Sequence, residues 1–260
     1  MHANKKIAVA GGTGRVGRHV VDVLETRGYD VVAMSRSTGV DVITREGLSE
    51  ALDGVTAIVD AATQPSSERE AATAFFTTAA RNLQDAGRDA GVQRLVVVSI
   101  IGADRFPGGY GAATLAHERA SLAGPIPARI LRAAQFHEFV GVLMDWGRQG
   151  DVVYVPDFPT QVVAARTVAE ALADLAAGEP GPAEIAGPRE ERLIDLARLY
   201  AARTGDSARI EEANPSTDPD SVFLANGGAL PGPGVTLAGP TFEEWLDALS
   251  PAARTRTPAR

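Results

Sequence analysis

The sequence predicts an α/β protein: a Rossmann-like, doubly wound parallel sheet followed by a small C-terminal lobe. Strand-like and helix-like segments alternate over the first 150 residues, as they do in a parallel sheet with crossover helices. The strand-like segments are apolar almost without interruption, which is typical of parallel strands that helices cover on both faces. A glycine-rich turn joins the first strand to the first helix, as in dinucleotide-binding sheets.

The elements follow one another in a regular order from the N-terminus. The predicted strands are KKIAVAGG (5–12), YDVVAMSR (29–36), TAIVDAA (56–62), QRLVVVSI (93–100) and PARILRAA (127–134). The predicted helices are GRVGRHVVDVLETRG (14–28), REGLSEALDG (45–54), a long helix over 67–90, and one that begins near Phe136. We also expect a third strand that ends at Asp41 and Val42. With that strand counted, the strand at 93–100 is the fifth and the strand at 127–134 is the sixth.

After about residue 150 the alternation becomes less regular. DVVYVP is predicted as a strand, and 166–178, 192–205 and 241–249 as helices. Thr241 with Glu244 three residues later forms the pattern of a capping box. We therefore expect a dinucleotide-binding domain over 1–150. Residues 151–260 are expected to add the remaining sheet edge and a small substrate lobe to the same compact unit.

Composition excludes several classes of protein. The 260 residues hold 33 acidic against 25 basic side chains, for a net charge of −8, which argues against nucleic acid as a partner. Cysteine is absent, so thiolate chemistry and disulfides are excluded, and no pattern predicts a metal site. No apolar run suits a membrane span or a signal peptide, so we expect a cytoplasmic protein with a small-molecule substrate. A homodimer is left open.

The glycine-rich stretch VAGGTGRVG is the most specific signal in the sequence. It follows a strand and opens an amphipathic helix, the context in which such glycines bind a pyrophosphate. The alternative is a purely structural turn between strand and helix. The predicted phosphate-binding residues of this loop are Gly11, Thr13, Gly14, Arg15, Val16 and Gly17.

The end of the second strand predicts which dinucleotide binds. Ser35 and Arg36 stand where NAD-binding proteins place an acid for the ribose hydroxyl, so we predict NADP(H). Arg15 could reach the same 2′-phosphate, although both arginines could also be ordinary surface charges. Asp41 and Val42 are predicted to meet the adenine. The other predicted cofactor-binding residues are Ala61, Ala62 and Phe136.

Four stretches together resemble a known family. GGTGRVG, VVVSIIGAD, RAAQFHEFV and LPGPGVTLAGPTFEEWL are similar to the atypical short-chain dehydrogenase/reductases, in their NmrA-like, NAD(P)-binding branch. The resemblance runs from about residue 5 to 250. It implies a Rossmann-like sheet, NADPH, and a cleft between the carboxyl edge of the sheet and the C-terminal lobe.

The resemblance also implies a catalytic set of Ser, Tyr and Lys, with Tyr-x-x-x-Lys on one helix. Ser99 matches the serine and Tyr110 the tyrosine, but Thr114 stands in the place of the lysine. Without that cation we expect Tyr110 to keep a pKa near its ordinary value of about 10 and to be a poor proton donor. Tyr110 could instead be a packed aromatic, and Ser99 a residue bonded to backbone.

His137 is a further candidate for acid–base chemistry, with Glu138 beside it. It follows the sixth predicted strand (127–134), at the edge where such sheets bind ligands. The alternative is a histidine that packs at the start of a helix. For His117, seven residues beyond Tyr110, we expect a packing or surface role.

Three functions remain open from the sequence. The first is an NADPH-dependent oxidoreductase that acts on a small apolar carbonyl, enone or quinone. The second is a non-redox dehydratase, isomerase or cyclase of secondary metabolism on the same scaffold. The third is a catalytically weak, NADP-sensing regulatory protein, and the missing lysine motivates both alternatives.

Overall fold

A computed structural model describes residues 5–64 and 68–249 of the chain. The strands are β1 (Lys6–Ala10), β2 (Asp30–Met34), β3 (Val55–Asp60), β4 (Arg94–Ile100), β5 (Ala128–Ala133), β6 (Arg148–Gln149), β7 (Val152–Val155), β8 (Pro159–Thr160), β9 (Glu184–Ala186), β10 (Glu191–Arg192), β11 (Arg209–Glu212) and β12 (Thr236–Leu237). The helices are α1 (Gly17–Thr26), α2 (Leu48–Ala51), α3 (Arg69–Asp89), α4 (Gly109–Leu122), α5 (Phe139–Trp146), α6 (Ala165–Ala177), α7 (Leu193–Thr204), α8 (Pro219–Ala225) and α9 (Phe242–Ala248).

The central sheet has the strand order β12-β9-β5-β4-β3-β1-β2. The pairs β1–β2, β1–β3 and β3–β4 are parallel. In β1 the consecutive residues Ile7, Ala8, Val9 and Ala10 are all buried, although neighbouring side chains of a strand point to opposite faces. Both faces of the sheet are therefore covered, and the predicted doubly wound α/β sheet is confirmed.

The chain divides into two compact units, and each has its own core. The first unit comprises Met1–Arg132 and Ala165–Ala183, and the second comprises Ala133–Ala164 and Glu184–Arg260. In the first unit α1 packs beside α6 and α3 packs beside α4. The predicted division of roles between residues 1–150 and 151–260 stays a prediction.

The region around Asp41 departs from its predicted structure, because it forms a turn and not a strand end. The Asp41 carboxylate accepts the backbone N–H of Ile43 at 2.7 Å and of Thr44 at 3.3 Å. An aspartate that bonds the backbone just after itself favours a turn over a strand ladder. The strands that the sequence predicts as fifth and sixth are consequently β4 and β5.

The second unit carries a separate hydrophobic core built from α5, β7, α7 and α9. Its helix α9 begins with the predicted capping box: Thr241 Oγ1 accepts the N–H of Glu244 at 3.2 Å, and Glu244 accepts the N–H of Thr241 at 2.8 Å. Helix α5 begins at Phe139, three residues after the predicted start. Over residues 5–64 and 68–249, no helix has the length and apolar character needed to traverse a lipid bilayer.

Candidate dinucleotide site and tyrosine

Three strand ends meet at one edge of the sheet in the first unit. Ala10, the last residue of β1, pairs with Met34 of β2 on one side and with Asp60 of β3 on the other. The N–H of Gly11 donates to the Met34 carbonyl at 2.9 Å, and the N–H of Ala61 donates to the Ala10 carbonyl at 3.0 Å. The residues that follow these strands are therefore neighbours, as the predicted cofactor site requires.

The glycines of the loop serve different purposes. Gly11 has φ +72°, and a Cβ there would lie 2.5 Å from the Ala61 carbonyl oxygen. A Cβ on Gly17 would overlap the backbone of Gly11. A Cβ on Gly14 would meet only the Gly11 oxygen, at 3.0 Å. The fold itself thus requires Gly11 and Gly17, whereas Gly14 faces the space where a ligand could approach the backbone.

The N-terminal end of α1 is suited to an anion. Its N-cap residue Val16 offers no side-chain hydrogen bond, and no acidic residue lies in its first turn. Thr13 and Arg15 beside it are exposed. The positive end of the helix dipole attracts phosphate oxygens, so this loop could hold a pyrophosphate.

The residues after β2 form a short 3-10 turn over Arg36–Thr38. Thr38 Oγ1 accepts the N–H of Ser35 at 2.9 Å and donates to the Ala33 carbonyl at 2.9 Å. This turn fixes the backbone that carries Arg36, whose side chain is exposed. Over residues 5–64 and 68–249 no carboxylate pairs with Arg36 or Arg15, so both guanidinium groups are available to a ligand.

Asp41 and Val42 have structural contacts in this unit. One carboxylate oxygen of Asp41 holds the turn described above, and Val42 packs into the core of the first unit. Asn82 of α3 donates to the Val42 carbonyl at 2.8 Å and to the Ile43 carbonyl at 2.9 Å. Their predicted contact with adenine stays a prediction.

Ala61 and Ala62 are positioned by a buried carboxylate at the end of β3. Asp60 Oδ1 accepts the N–H of Ala62 at 3.0 Å, and Asp60 Oδ2 accepts Nε2–H of His117 at 2.9 Å. Both side chains are almost fully buried, and the His117 ring stacks on Phe76 with ring centroids 4.9 Å apart. The packing role expected for His117 holds, but its hydrogen bond with Asp60 was missed. An aspartate in an apolar strand was a signal, because a buried carboxylate requires partners.

Tyr110 lies in the first turn of α4, and its hydroxyl reaches the same loop. Its oxygen lies 3.1 Å from Oγ1 of Thr63, the residue after Ala62. The ring packs edge-on against Phe76, with centroids 5.6 Å apart. Burial raises the pKa of the Tyr110 phenol above its ordinary value, and the hydrogen bond with Thr63 only partly opposes this shift. The expectation of an unshifted pKa was therefore wrong, since the sequence did not reveal the burial.

Thr114 stands at the position of the lysine that the resemblance implies. Its side-chain hydroxyl points back towards the backbone of its own helix. Its side chain is 3% exposed, and Oγ1 donates to the Tyr110 carbonyl at 2.9 Å. This back-bond occupies the hydroxyl, so Thr114 is not a substitute for the missing cation.

The hydroxyl of Ser99 in β4 is also hydrogen-bonded within the fold. Its hydroxyl donates to Glu118 of α4. Arg132 of β5 donates Nε–H and Nη2–H to the two oxygens of the same carboxylate, both at 2.8 Å, and Nη1–H to Asp104 at 3.0 Å. The buried serine therefore contributes to an ion-pair network between α4 and the sheet. Its predicted catalytic role stays a prediction.

His137 and Phe136 belong to the second unit. The His137 ring is fully buried between Phe242 and Trp245, with centroid distances of 5.4 and 5.3 Å. Its Nε2–H donates to the Val162 carbonyl at 3.1 Å, and burial lowers its pKa to about 4. Phe136 is half-buried and bridges to Val163. Their predicted catalytic and cofactor-binding roles stay predictions.

Among residues 5–64 and 68–249, no cluster of side chains is suited to hold a metal ion.

Comparisons with known proteins agree with this geometry. Residues 11–123 match the sequence profile of the NAD(P)H-binding family, and this range contains the glycine loop, Ser99 and Tyr110. The photosystem II assembly factor Ycf39 of Synechocystis sp. is 28% identical over 116 residues, which are 39% of this chain. The match spans only 36% of the length of that relative.

Solved structures share the fold over most of the chain. The structure of MoeE5 in complex with UDP-glucose and NAD is 19% identical, with a TM-score of 0.67 over 93% of this chain and 96% of that chain. A dTDP-4-dehydrorhamnose reductase from Clostridium acetobutylicum is 16% identical, with a TM-score of 0.65 over 82% of this chain and 85% of that chain.

Residues 11–123 therefore form an NAD(P)H-binding domain, and the chain shares the Rossmann-like α/β fold of these solved structures. Together these findings support the predicted resemblance to the atypical short-chain dehydrogenase/reductases.

Proposed function

We propose that this protein is an NADPH-dependent reductase of a small apolar carbonyl, enone or quinone. The observation that carries the proposal is the position of the Tyr110 hydroxyl. It lies 3.1 Å from the residue that follows Ala61 and Ala62, and Ala61 in turn contacts the glycine loop. A phenol at this edge of the sheet can meet a substrate held beside the nicotinamide.

Each part of the candidate site has its own role in the proposed reaction. When bound, NADPH supplies the hydride. The phosphate loop and the N-terminal end of α1 hold its pyrophosphate, and Tyr110 donates its phenolic proton to the substrate oxygen. Because burial raises its pKa, Tyr110 stays protonated over a wider pH range than an exposed tyrosine. A protonated phenol is the form required for reduction, while the raised pKa also makes Tyr110 a weaker acid than an exposed tyrosine.

The choice of NADPH over NADH rests on Arg36. It lies two residues after the end of β2, is exposed, and lacks a carboxylate partner in the described part of the chain. A charge-assisted bond to the 2′-phosphate contributes about 1.5–3 kcal/mol, so Arg36→Asp should weaken NADPH binding at least tenfold. NADH binding should change little.

Calorimetric titration of both cofactors tests this choice. Arg119→Asp on α4 is a matched control, because it makes the same charge change at another exposed arginine. An equal loss of NADPH and NADH affinity in Arg36→Asp, or an equal effect of the control, would count against NADP specificity through Arg36.

The reaction itself is tested by NADPH oxidation with a panel of small carbonyls, enones and quinones. Tyr110→Phe should lower kcat by ~10²–10⁴ while leaving NADPH affinity unchanged, since only the proton donor is removed. Tyr154→Phe in the second unit is the control. Full activity of Tyr110→Phe would remove the phenol from the mechanism.

A second candidate is the cofactor-sensing protein with weak catalysis. It is favoured by Ser99 and Thr114, whose hydroxyls are both bonded within the fold. Tight NADPH binding without oxidation across the whole substrate panel would support this candidate over the reductase.

A further inference from the structure

The catalytic set implied by family resemblance leaves Tyr110 without its usual partners. Ser99 donates its hydroxyl to Glu118, and Thr114 donates its hydroxyl to the backbone of its own helix. The phenol nevertheless has a hydroxyl partner that the motif does not contain. Thr63 Oγ1 lies 3.1 Å from the Tyr110 oxygen.

Thr63 differs from those two residues in its exposure. Ser99 and Thr114 are each 3% exposed, whereas Thr63 is exposed to solvent and Tyr110 is only partly so. A hydroxyl both accepts and donates a hydrogen bond, so Thr63 can bond to Tyr110 and to water at the same time. It therefore offers a path by which a proton reaches the phenol from solvent.

One buried carboxylate holds both residues of this pair in place. Asp60 Oδ1 accepts the N–H of Ala62, the residue before Thr63. Asp60 Oδ2 accepts Nε2–H of His117, which lies on the same helix as Tyr110. Phe76 packs against both His117 and Tyr110. The loop that carries Thr63 and the helix that carries Tyr110 are thus fixed to the same group.

We propose that Thr63 is a positioning residue and proton relay for Tyr110; this inference rests on the proposed reductase function. Tyr110 gives its proton to the substrate oxygen. The phenolate then takes the proton of Thr63 Oγ1 while Thr63 takes a solvent proton at its exposed side, in one concerted transfer that forms no alkoxide. Each turnover consumes one solvent proton and leaves both hydroxyls as they began.

The pairing is tested without substrate or cofactor by the ionisation of Tyr110. The difference in tyrosinate absorbance between the wild-type protein and Tyr110→Phe isolates this one phenol. Thr63→Val removes the bond that stabilises the phenolate, so the titration midpoint should rise by about 0.5–1 pH unit. Thr63→Ser should restore the wild-type midpoint.

A fluorotyrosine of lower intrinsic pKa at position 110 brings the titration to a pH at which circular dichroism shows the protein folded. Thr77→Val is the matched control, because the Thr77 hydroxyl donates to the Thr73 carbonyl of its own helix at 2.8 Å. An unchanged midpoint in Thr63→Val, or a raised midpoint in Thr63→Ser, would overturn the pairing.

The relay is tested under turnover. Thr63→Val should lower kcat about tenfold, leave the KM for NADPH unchanged and increase the solvent deuterium isotope effect, and Thr63→Ser should recover the rate. Normal kcat in Thr63→Val would overturn the relay and leave the reductase function intact. Absence of turnover in the wild-type protein with every substrate would instead overturn the reductase function, and the relay with it, even where the titration supports the pairing.

Discussion

Gly14 and Gly17 lie three residues apart in one loop, yet the structure constrains them differently. A methyl group at Gly17 overlaps the backbone of Gly11, whereas one at Gly14 meets a single oxygen at 3.0 Å. Gly14→Ala should therefore fold normally and lose at least tenfold in NADPH affinity, because its Cβ occupies ligand space. Gly17→Ala should lower stability itself by about 1–3 kcal/mol.

Thermal unfolding and calorimetric titration of the two variants separate these effects. A Gly14→Ala protein that binds NADPH as tightly as the wild-type protein would mean that the pyrophosphate does not contact this loop.

His137 makes the stability of the protein depend on pH. Its pKa is lowered by burial from 6.5 to about 4, so the ring is neutral in the folded protein at neutral pH. Between pH 6.5 and 4 the unfolded chain binds the proton more readily. The stability from this residue is complete above pH 6.5 and falls as the pH drops towards 4, by on the order of 3 kcal/mol.

Urea unfolding at pH 7.0 and pH 4.5 measures this loss. His137→Gln can keep a donor near the Val162 carbonyl but cannot take up a proton, so its stability should fall less over the same interval. Equal losses in the two proteins would assign the acid sensitivity to other groups.

At the scale of the element, the capping box of α9 was predictable from the sequence. Its contribution to the free energy of unfolding can be tested. Thr241 caps the helix that carries Phe242 into the core of the second unit. Thr241→Ala should lower the free energy of unfolding by about 1 kcal/mol, and Thr241→Ser should retain most of it. Chemical denaturation of the three proteins measures the difference, and a fully stable Thr241→Ala would show that the cap contributes nothing.

Elements that depend on neighbouring residues were predictable from the sequence, and contacts between distant ones were not. The glycine loop and the α9 cap are local sequence patterns, and each of them predicts a single local structure. The expected strand end at Asp41 failed because its side chain bonds the following backbone. The Asp60–His117 pair joins residues 57 positions apart, so periodicity and spacing along one helix could not reveal it.

The same limit applies to the hydroxyl groups of the candidate site. Ser99, Tyr110 and Thr114 could be found from the family motif, but the motif does not say where each hydroxyl points. The partners Glu118 and Thr63 follow from the packing of α4 against the sheet.

At the scale of the whole molecule, cofactor binding and folding are linked. The predicted cofactor-binding residues, apart from Phe136, belong to the first unit. NADPH at a hundred times its dissociation constant should stabilise the folded protein by about 2.7 kcal/mol, provided that the unfolded chain does not bind it.

Hydrogen exchange with and without NADPH shows where this stabilisation acts. Protection should increase most at residues 11–17, 35–38 and 61–62. Protection confined to the second unit would place the dinucleotide elsewhere.

The burial of Thr114 also limits how the candidate site can be redesigned. Its side chain is 3% exposed and its hydroxyl bonds to the preceding turn of α4, so the helix is packed closely around a small residue. A lysine at this position would bring a buried charge and a longer side chain, both of which destabilise the fold. The packing around position 114 therefore resists a lysine, and redesign of the candidate site is better directed at the pair of hydroxyls on Tyr110 and Thr63.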